Sequence, residues 1–114
     1  MSADPSLPVF RQLLLARDGR ILTITLNRPD QLNAFGQVMH QELVAALAFA
    51  GTDLASDVIV LTGAGRAFSA GGDIDWMARV VAEPDLFDAE AADAKRLVLG
   101  LLDIDKPVIA KVNG

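Results

Sequence analysis

Few of the 114 residues can carry chemistry, and most that can lie in one stretch, Gly63-Ala64-Gly65-Arg66-Ala67-Phe68-Ser69-Ala70-Gly71-Gly72-Asp73. The chain has no cysteine, which excludes thiol nucleophiles, disulfides and thiolate metal sites. As a dinucleotide fingerprint the stretch fails, because Phe68 stands where a third glycine must let helix and strand approach closely. As a phosphate-binding loop it also fails, for want of a closing Gly-Lys-Ser/Thr. Ser69 lacks the first glycine of a nucleophile elbow, and the only histidine lies upstream, so a local loop hydrogen bond is its expected role. That histidine, His40, falls by spacing on the polar side of a helix. No second His, Cys or paired carboxylate motif joins it to make a base or a metal ligand, so no metal site is expected.

What remains is the main chain of Ala70-Gly71-Gly72-Asp73. Small residues let a ligand reach the backbone, and the first N–H groups of a following helix have no partner within it. Such donors can stabilise negative charge that develops on a carbonyl oxygen, without any particular side chain. A glycine-rich strand-to-helix turn with no catalytic role fits the same spacing, and both readings stand at this point.

Several elements must position that stretch. Val9 to Arg17 and Arg20 to Leu26 are apolar runs split by Asp18-Gly19, the signature of a β-hairpin, and Leu22, Ile24 and Leu26 alternate with polar positions. Asn27-Arg28-Pro29-Asp30 ends the second strand, since Pro29 offers no N–H. From Gly36 to Ala50, the residues Met39, Leu43, Ala46, Leu47 and Ala50 recur at helical spacing, with Gln37, Gln41 and Glu42 off the stripe and Gly51 closing the helix. Asp57 to Thr62 reads as a strand covered on both faces. Asp73 to Val81 and Asp88 to Leu102 read as helices parted at Glu83-Pro84-Asp85, the second with a stripe of Ala94, Leu97, Val98, Leu101 and Leu102. Lys106 to Val112 reads as a final strand. The order β-β-α-β-α-α-β predicts an α/β layered fold in one domain over residues 9–114, after a flexible segment at residues 1–8.

Composition narrows the partners. Lys and Arg number 10 against 15 Asp and Glu, and the resulting charge of −5 argues against nucleic acid. Hydrophobic residues make up 52%, above the roughly 45–50% of soluble domains, as if part of a surface or of a larger core were waiting for company. A strand running into Asn113-Gly114 strengthens the expectation of a truncated chain. Residues 1–8 lack the features of a signal peptide, and no apolar run approaches the roughly 18 residues of a membrane span. A cytoplasmic protein with no membrane partner is expected.

Three separated motifs carry a resemblance. Asn27-Arg28-Pro29 with Asn33-Ala34, Gly65 to Ile74, and Lys106-Pro107-Val108-Ile109-Ala110-Lys111-Val112-Asn113-Gly114 resemble the enoyl-CoA hydratase/isomerase, or crotonase, family over about residues 10–114. The resemblance implies the N-terminal portion of a crotonase-like ββα superhelix, assembled as trimers or hexamers when full length. It implies an acyl-CoA substrate, with coenzyme A a part of that substrate and no separate cofactor. Gly72 is the implied catalytic residue, its N–H holding the thioester oxygen. Gln31 and Leu32, beside Asp30, are implied to line the CoA groove, and Ala70, Gly71, Asp73 and Ile74 to contact the substrate. Asp30 stands where relatives often carry a basic residue, so Arg28 and Arg66 are candidates to compensate toward CoA phosphates, the alternative being that each is a solvated loop cation. The second oxyanion donor and two acid–base glutamates of the hydratase branch would lie beyond Gly114, and neither Glu83 nor Glu90 stands in a matching motif. The implied activity is addition of water across an α,β double bond through an oxyanion-stabilised enolate, with the isolated chain inactive. The rival expectation is a noncatalytic acyl-CoA-binding or truncated module.

Overall fold

Two apolar strands and a turn start the fold. The computed structural model describes residues 4–114. In it β1 (Leu13–Asp18) and β2 (Ile21–Leu26) pair antiparallel, with Leu13 opposite Leu26 and Asp18 opposite Ile21. Gly19 takes the positive φ of +58° that the tight turn needs. β1 begins at Leu13 and not at Val9, because the carboxylate of Glu42 accepts the N–H groups of Arg11 and Gln12 at 2.8 and 2.7 Å. Those amides are thereby withdrawn from the ladder. Residues 1–3 of the expected flexible segment lie outside the described residues, whereas Asp4 and Ser6 both accept hydrogen bonds from Arg17 on β1.

On β2, Leu22, Ile24 and Leu26 are fully buried, as their alternation predicts. They meet α1 (Gln37–Thr52), which buries Met39, Leu43, Ala46, Leu47 and Ala50, the five residues of the expected stripe. The helix does not close at Gly51 but runs one residue further, to Thr52. Its end is held from a distance: Lys106 Nζ donates to the carbonyls of Ala50 and Asp53 at 2.7 and 2.5 Å, placing a cation where the helix dipole is negative. Gly51 lies within the helix, where a Cβ would sit 3.5 Å from the Ile104 side chain, an ordinary van der Waals contact.

The strand β3 (Val58–Gly63) runs parallel to β2, and β4 (Val108–Ala110) parallel to β3, giving the sheet order β1-β2-β3-β4. Only Ile59 and Gly63 of β3 are buried and the rest are half-buried, so the second face is covered less than its β-branched run suggests. β4 is also shorter than expected. Lys106 is committed to α1, and Pro107 joins the sheet only by accepting Ile59 N–H at 2.9 Å.

The helices α2 (Ile74–Ala82) and α3 (Pro84–Asp103) follow the glycine-rich loop. Pro84 does not separate them by several residues. It occupies the first turn of α3, where a missing N–H costs nothing, so α3 starts four residues before the expected Asp88. The stripe on α3 is only partly used: Ala94 and Leu97 are half-buried, while Val98, Leu101 and Leu102 are exposed. Asp93 is the buried residue of this helix, within reach of Gln41 and Arg96. Among the described residues no helix is long and apolar enough to cross a membrane.

A buried ion pair ties the far end of α1 to the hairpin. Arg17 Nε and Nη2 donate to the two oxygens of Asp53 at 3.0 and 2.7 Å, and Ser56 Oγ adds a third bond at 2.7 Å. The Arg17 hydrogen bonds, helped by those from Ser56 and Ala55, hold the Asp53 carboxyl well below its ordinary value of 3.8. A carboxyl depressed in the folded state contributes stability that is complete above its unfolded value and is lost as pH falls toward the folded one. Acid unfolding should therefore steepen below about pH 4, and Asp53→Asn should flatten that dependence while lowering stability at pH 7. Urea titrations between pH 2 and 7 check this; an unchanged slope in the variant would refute the assignment.

Candidate active site

Three loops meet beyond the C-terminal ends of β2 and β3, the position where parallel α/β sheets hold ligands. After Leu26 the chain turns through a 3₁₀ segment, Pro29–Gln31, and then places Leu32 and Asn33 at φ of +50° and +54°. Asparagine tolerates that conformation better than most residues, and Asn33 is fully buried. Its Oδ1 accepts Arg28 N–H at 2.8 Å, and its Nδ2 donates to the carbonyls of Ala64 and Ala67, both at 2.9 Å. Ser69 Oγ accepts Gly71 N–H at 3.2 Å, the local role expected of it, and also donates to the Asn33 carbonyl, 36 positions away, at 2.8 Å.

A second asparagine grips the loop from the other side. Asn113 Nδ2 donates to the carbonyls of Gly63 and Gly65, and its Oδ1 accepts Gly63 N–H at 3.2 Å. A Cβ at Gly63 would collide with the carbonyls of Ala67 and Phe68, so the loop closes only on glycine.

The loop delivers Gly72 in a particular way. Phe35 N–H donates to the Gly71 carbonyl and Asp73 N–H to the Phe35 carbonyl, each at 2.8 Å, forming a parallel bridge that straddles Gly72. In such a bridge the middle residue turns its own N–H away. Among the described residues nothing accepts Gly72 N–H. Asp73 then caps α2, with Oδ1 accepting Trp76 N–H at 3.0 Å and Oδ2 accepting Arg28 Nη2 at 3.1 Å. The Trp76 amide, with Arg28 assisting, draws the Asp73 carboxyl below its ordinary range.

Two depressions flank Gly72. One is an apolar cleft of about 560 Å³ walled by Phe35, Met77, Val80, Val81, Phe87 and Leu97, with Gly71, His40 and Glu90. The other is a more polar groove of about 470 Å³ formed by Gln31, Ala34, Ala70, Asp73, Ile74 and Asp75. Gly72 lines both. Of the expected binding residues, Gln31, Ala70, Asp73 and Ile74 thus share the groove and Gly71 faces the cleft. Leu32 lines neither; it is half-buried, and its carbonyl accepts Ala70 N–H at 2.9 Å. Arg28 is not free to meet a phosphate, because Nη1 donates to the Ala34 carbonyl at 2.6 Å and Nη2 holds Asp73. Arg66 remains exposed.

His40 departs from its expected place. Its side chain is only 15% exposed, its ring lies 5.2 Å from that of Phe35, and Nδ1 is 2.8 Å from Glu90 Oε1. The other Glu90 oxygen accepts Trp76 Nε1–H at 2.9 Å. The signal was present in the spacing: His40 stands three residues before Leu43 and seven before Leu47, at the border of the buried stripe. Met77, Val80 and Val81 likewise recur at helical spacing on α2, although a single short helix could not reveal that they wall a cleft.

The family model described as enoyl-CoA hydratase/isomerase matches residues 16–114. The 2,3-dehydroadipyl-CoA hydratase of Escherichia coli (strain K12) is 39% identical over 103 residues, covering 90% of this chain and 39% of that protein. The 1,2-epoxyphenylacetyl-CoA isomerase of the same organism is 38% identical over 96 residues, covering 82% and 37%. Among solved structures, an enoyl-CoA hydratase/isomerase from Mycobacterium paratuberculosis matches with a TM-score of 0.85 at 39% identity, over 90% of this chain and 41% of that one. The chain spans about two fifths of the length of these proteins.

Asn33→Ala strips partners from Arg28 N–H and from two loop carbonyls, and keeps a strained φ without the amide that tolerates it. A loss of about 2–4 kcal/mol in folding stability is expected from the unpaired groups. Urea unfolding measures it, and a loss well under 1 kcal/mol would mean that Asn33 is not the clasp.

Proposed function

The chain belongs to the enoyl-CoA hydratase/isomerase family and has its crotonase fold, and from that premise we propose that it seats an acyl-CoA thioester with the carbonyl oxygen on Gly72 N–H. One observation carries this reading. A main-chain donor without a partner among the described residues stands on the wall between an apolar cleft and a polar groove. The acyl chain takes the cleft, and the thioester and pantetheine run along the groove over Gln31, Ala70, Asp73 and Ile74. The N-terminus of α2, one residue on, adds its partial positive charge at the same spot.

The reaction proposed is hydration, the activity in the printed names of several similar proteins. As water oxygen bonds to Cβ it gives up one proton to a general base, and the double-bond electrons move through Cα onto the thioester oxygen, where Gly72 N–H stabilises the enolate. Collapse of the enolate then takes a proton at Cα from a general acid, so that one H and one OH are added overall. A donor already aimed at the oxygen needs no reorganisation during this step, which is why such donors are effective. The second donor and the acid–base glutamates implied by the family pattern have no matching positions among these residues. Residues 1–114 by themselves are therefore expected to bind the thioester and to hydrate crotonyl-CoA little or not at all. Trimeric or hexameric assembly belongs to the same reading, which requires no cofactor apart from the CoA of the substrate.

Two variants separate donor from shape. Gly72→Pro deletes the N–H, whereas Gly72→Ala keeps it and presses a Cβ only against the flexible end of Met77. In the protein carrying this chain, Gly72→Pro should lower kcat by about 10²–10³, the usual effect of losing one oxyanion donor, and Gly72→Ala far less. A thioester labelled with ¹³C at the carbonyl should shift downfield on binding and lose that shift in Gly72→Pro. A label that does not move in the unmodified protein, or a folded proline variant with full kcat, would overturn the assignment.

A further inference from the structure

Inside the apolar cleft lies one polar pair that neither the Gly72 donor nor the packing of the helices explains. His40 from α1 and Glu90 from α3 face each other there, with Nδ1 2.8 Å from Oε1 and side chains 15% and 22% exposed. Glu90 is fixed from its far side by Trp76 Nε1–H. Nδ1 is buried, its approach to Oε1 is off the angle of a good hydrogen bond, and it has no other acceptor. His40 lines the cleft, and no side-chain hydrogen bond among the described residues engages its Nε2.

The chemistry of an occupant follows from that vacancy in hydrogen bonding. A plain alkyl chain filling the cleft would strip water from Nε2 and give nothing in return, and a site built to hydrogen-bond discriminates strongly against ligands that cannot. A carboxylate at the same depth would meet the Glu90 carboxylate in a poorly hydrated wall, where like charges repel strongly. A hydroxyl suits both demands. It is neutral, and it donates to a lone pair on Nε2 or accepts from an N–H there, whichever the imidazole presents.

We propose that His40, held by Glu90 and Trp76, selects acyl-CoA thioesters whose acyl chain carries a neutral hydroxyl beyond the reacting Cα and Cβ, with that hydroxyl bonded to Nε2. This rests on the reading that the cleft receives the acyl chain. His40 binds the substrate, and Glu90 and Trp76 are positioning residues.

Calorimetric titration with hexanoyl-CoA, 5-hydroxyhexanoyl-CoA, 6-hydroxyhexanoyl-CoA and adipyl-CoA tests it. One of the hydroxy thioesters should bind about tenfold more tightly than hexanoyl-CoA, the size of one satisfied buried hydrogen bond, and adipyl-CoA should bind most weakly. His40→Leu should bring the ratio of hydroxy to plain thioester to about one or below. Glu90→Gln, which keeps an acceptor for Trp76 but frees the imidazole to turn, should reduce the ratio several-fold. Equal affinities for hexanoyl-CoA and both hydroxy thioesters in the unmodified protein overturn the proposal and leave the acyl-CoA reading standing. Failure of every thioester to bind removes that reading and this proposal with it. A preference that survives in folded His40→Leu overturns it as well; should that variant not fold, an unchanged preference in Glu90→Gln does the same.

Discussion

The buried amide of Asn33 is the constraint on which the site depends. The loop that presents Gly72 contributes almost no apolar packing of its own, so its shape has to come from hydrogen bonds that water cannot replace. Asn33 supplies them by reading the backbone on two sides at once, Arg28 N–H on one and the carbonyls of Ala64 and Ala67 on the other. Because the side chain is fully buried, each of these bonds is made where the alternative is an unsatisfied polar group and not a hydrated one. Asn113 applies the same logic at Gly63 and Gly65. The loop is clasped between two asparagines, and a positive φ at Asn33 is the strain that this arrangement holds in place.

From that clasp the order passes to the helix. Arg28, whose amide is fixed by Asn33, holds Asp73, and Asp73 caps α2 through Trp76 N–H. An N-cap of this kind contributes about 1 kcal/mol to a helix. Here it also fixes the point from which α2 departs, hence where the α2 amides and the wall of the cleft begin. Asp73 and Arg28 therefore shape the loop and the start of α2 by geometry; their charges answer each other and are not offered to a phosphate.

How much of this could be read from the sequence depends on the range of the interaction concerned. The alternation on β2 and the stripe on α1 were legible because burial of one face imposes a period, and all eight residues named from it are in the core. The glycine turn was legible as a place of close backbone approach before a helix, although a plain turn fitted the same spacing. Its free amide was not, since that follows from the Phe35 bridge, a pairing between residues 37 positions apart. Glu42 shortening β1 and Lys106 ending α1 share this character. In each, a single side chain reaches across the fold to a partner that leaves no periodic trace. The stripe on α3 failed for a different reason: period reports that a face is apolar, and not whether the neighbours present cover it.

That last failure bears on how the two ends of the site differ. The Gly72 end is held by buried hydrogen bonds to main chain, which permit little adjustment. The apolar cleft is walled by α2 and α3, where Met77, Val81 and Phe87 are exposed and where α3 meets α1 partly through polar contacts, Glu90 with His40 and Asp93 with Gln41. Regions with few buried apolar contacts open and shift at lower cost than the core. In the reading proposed above, a rigid donor beside a yielding wall would fix the oxygen on which charge develops and leave the chain beyond it free to vary. Selection among occupants of the cleft would then come from a few directed contacts and not from close packing, and within this cleft the side chains capable of directed contact are those of His40 and Glu90.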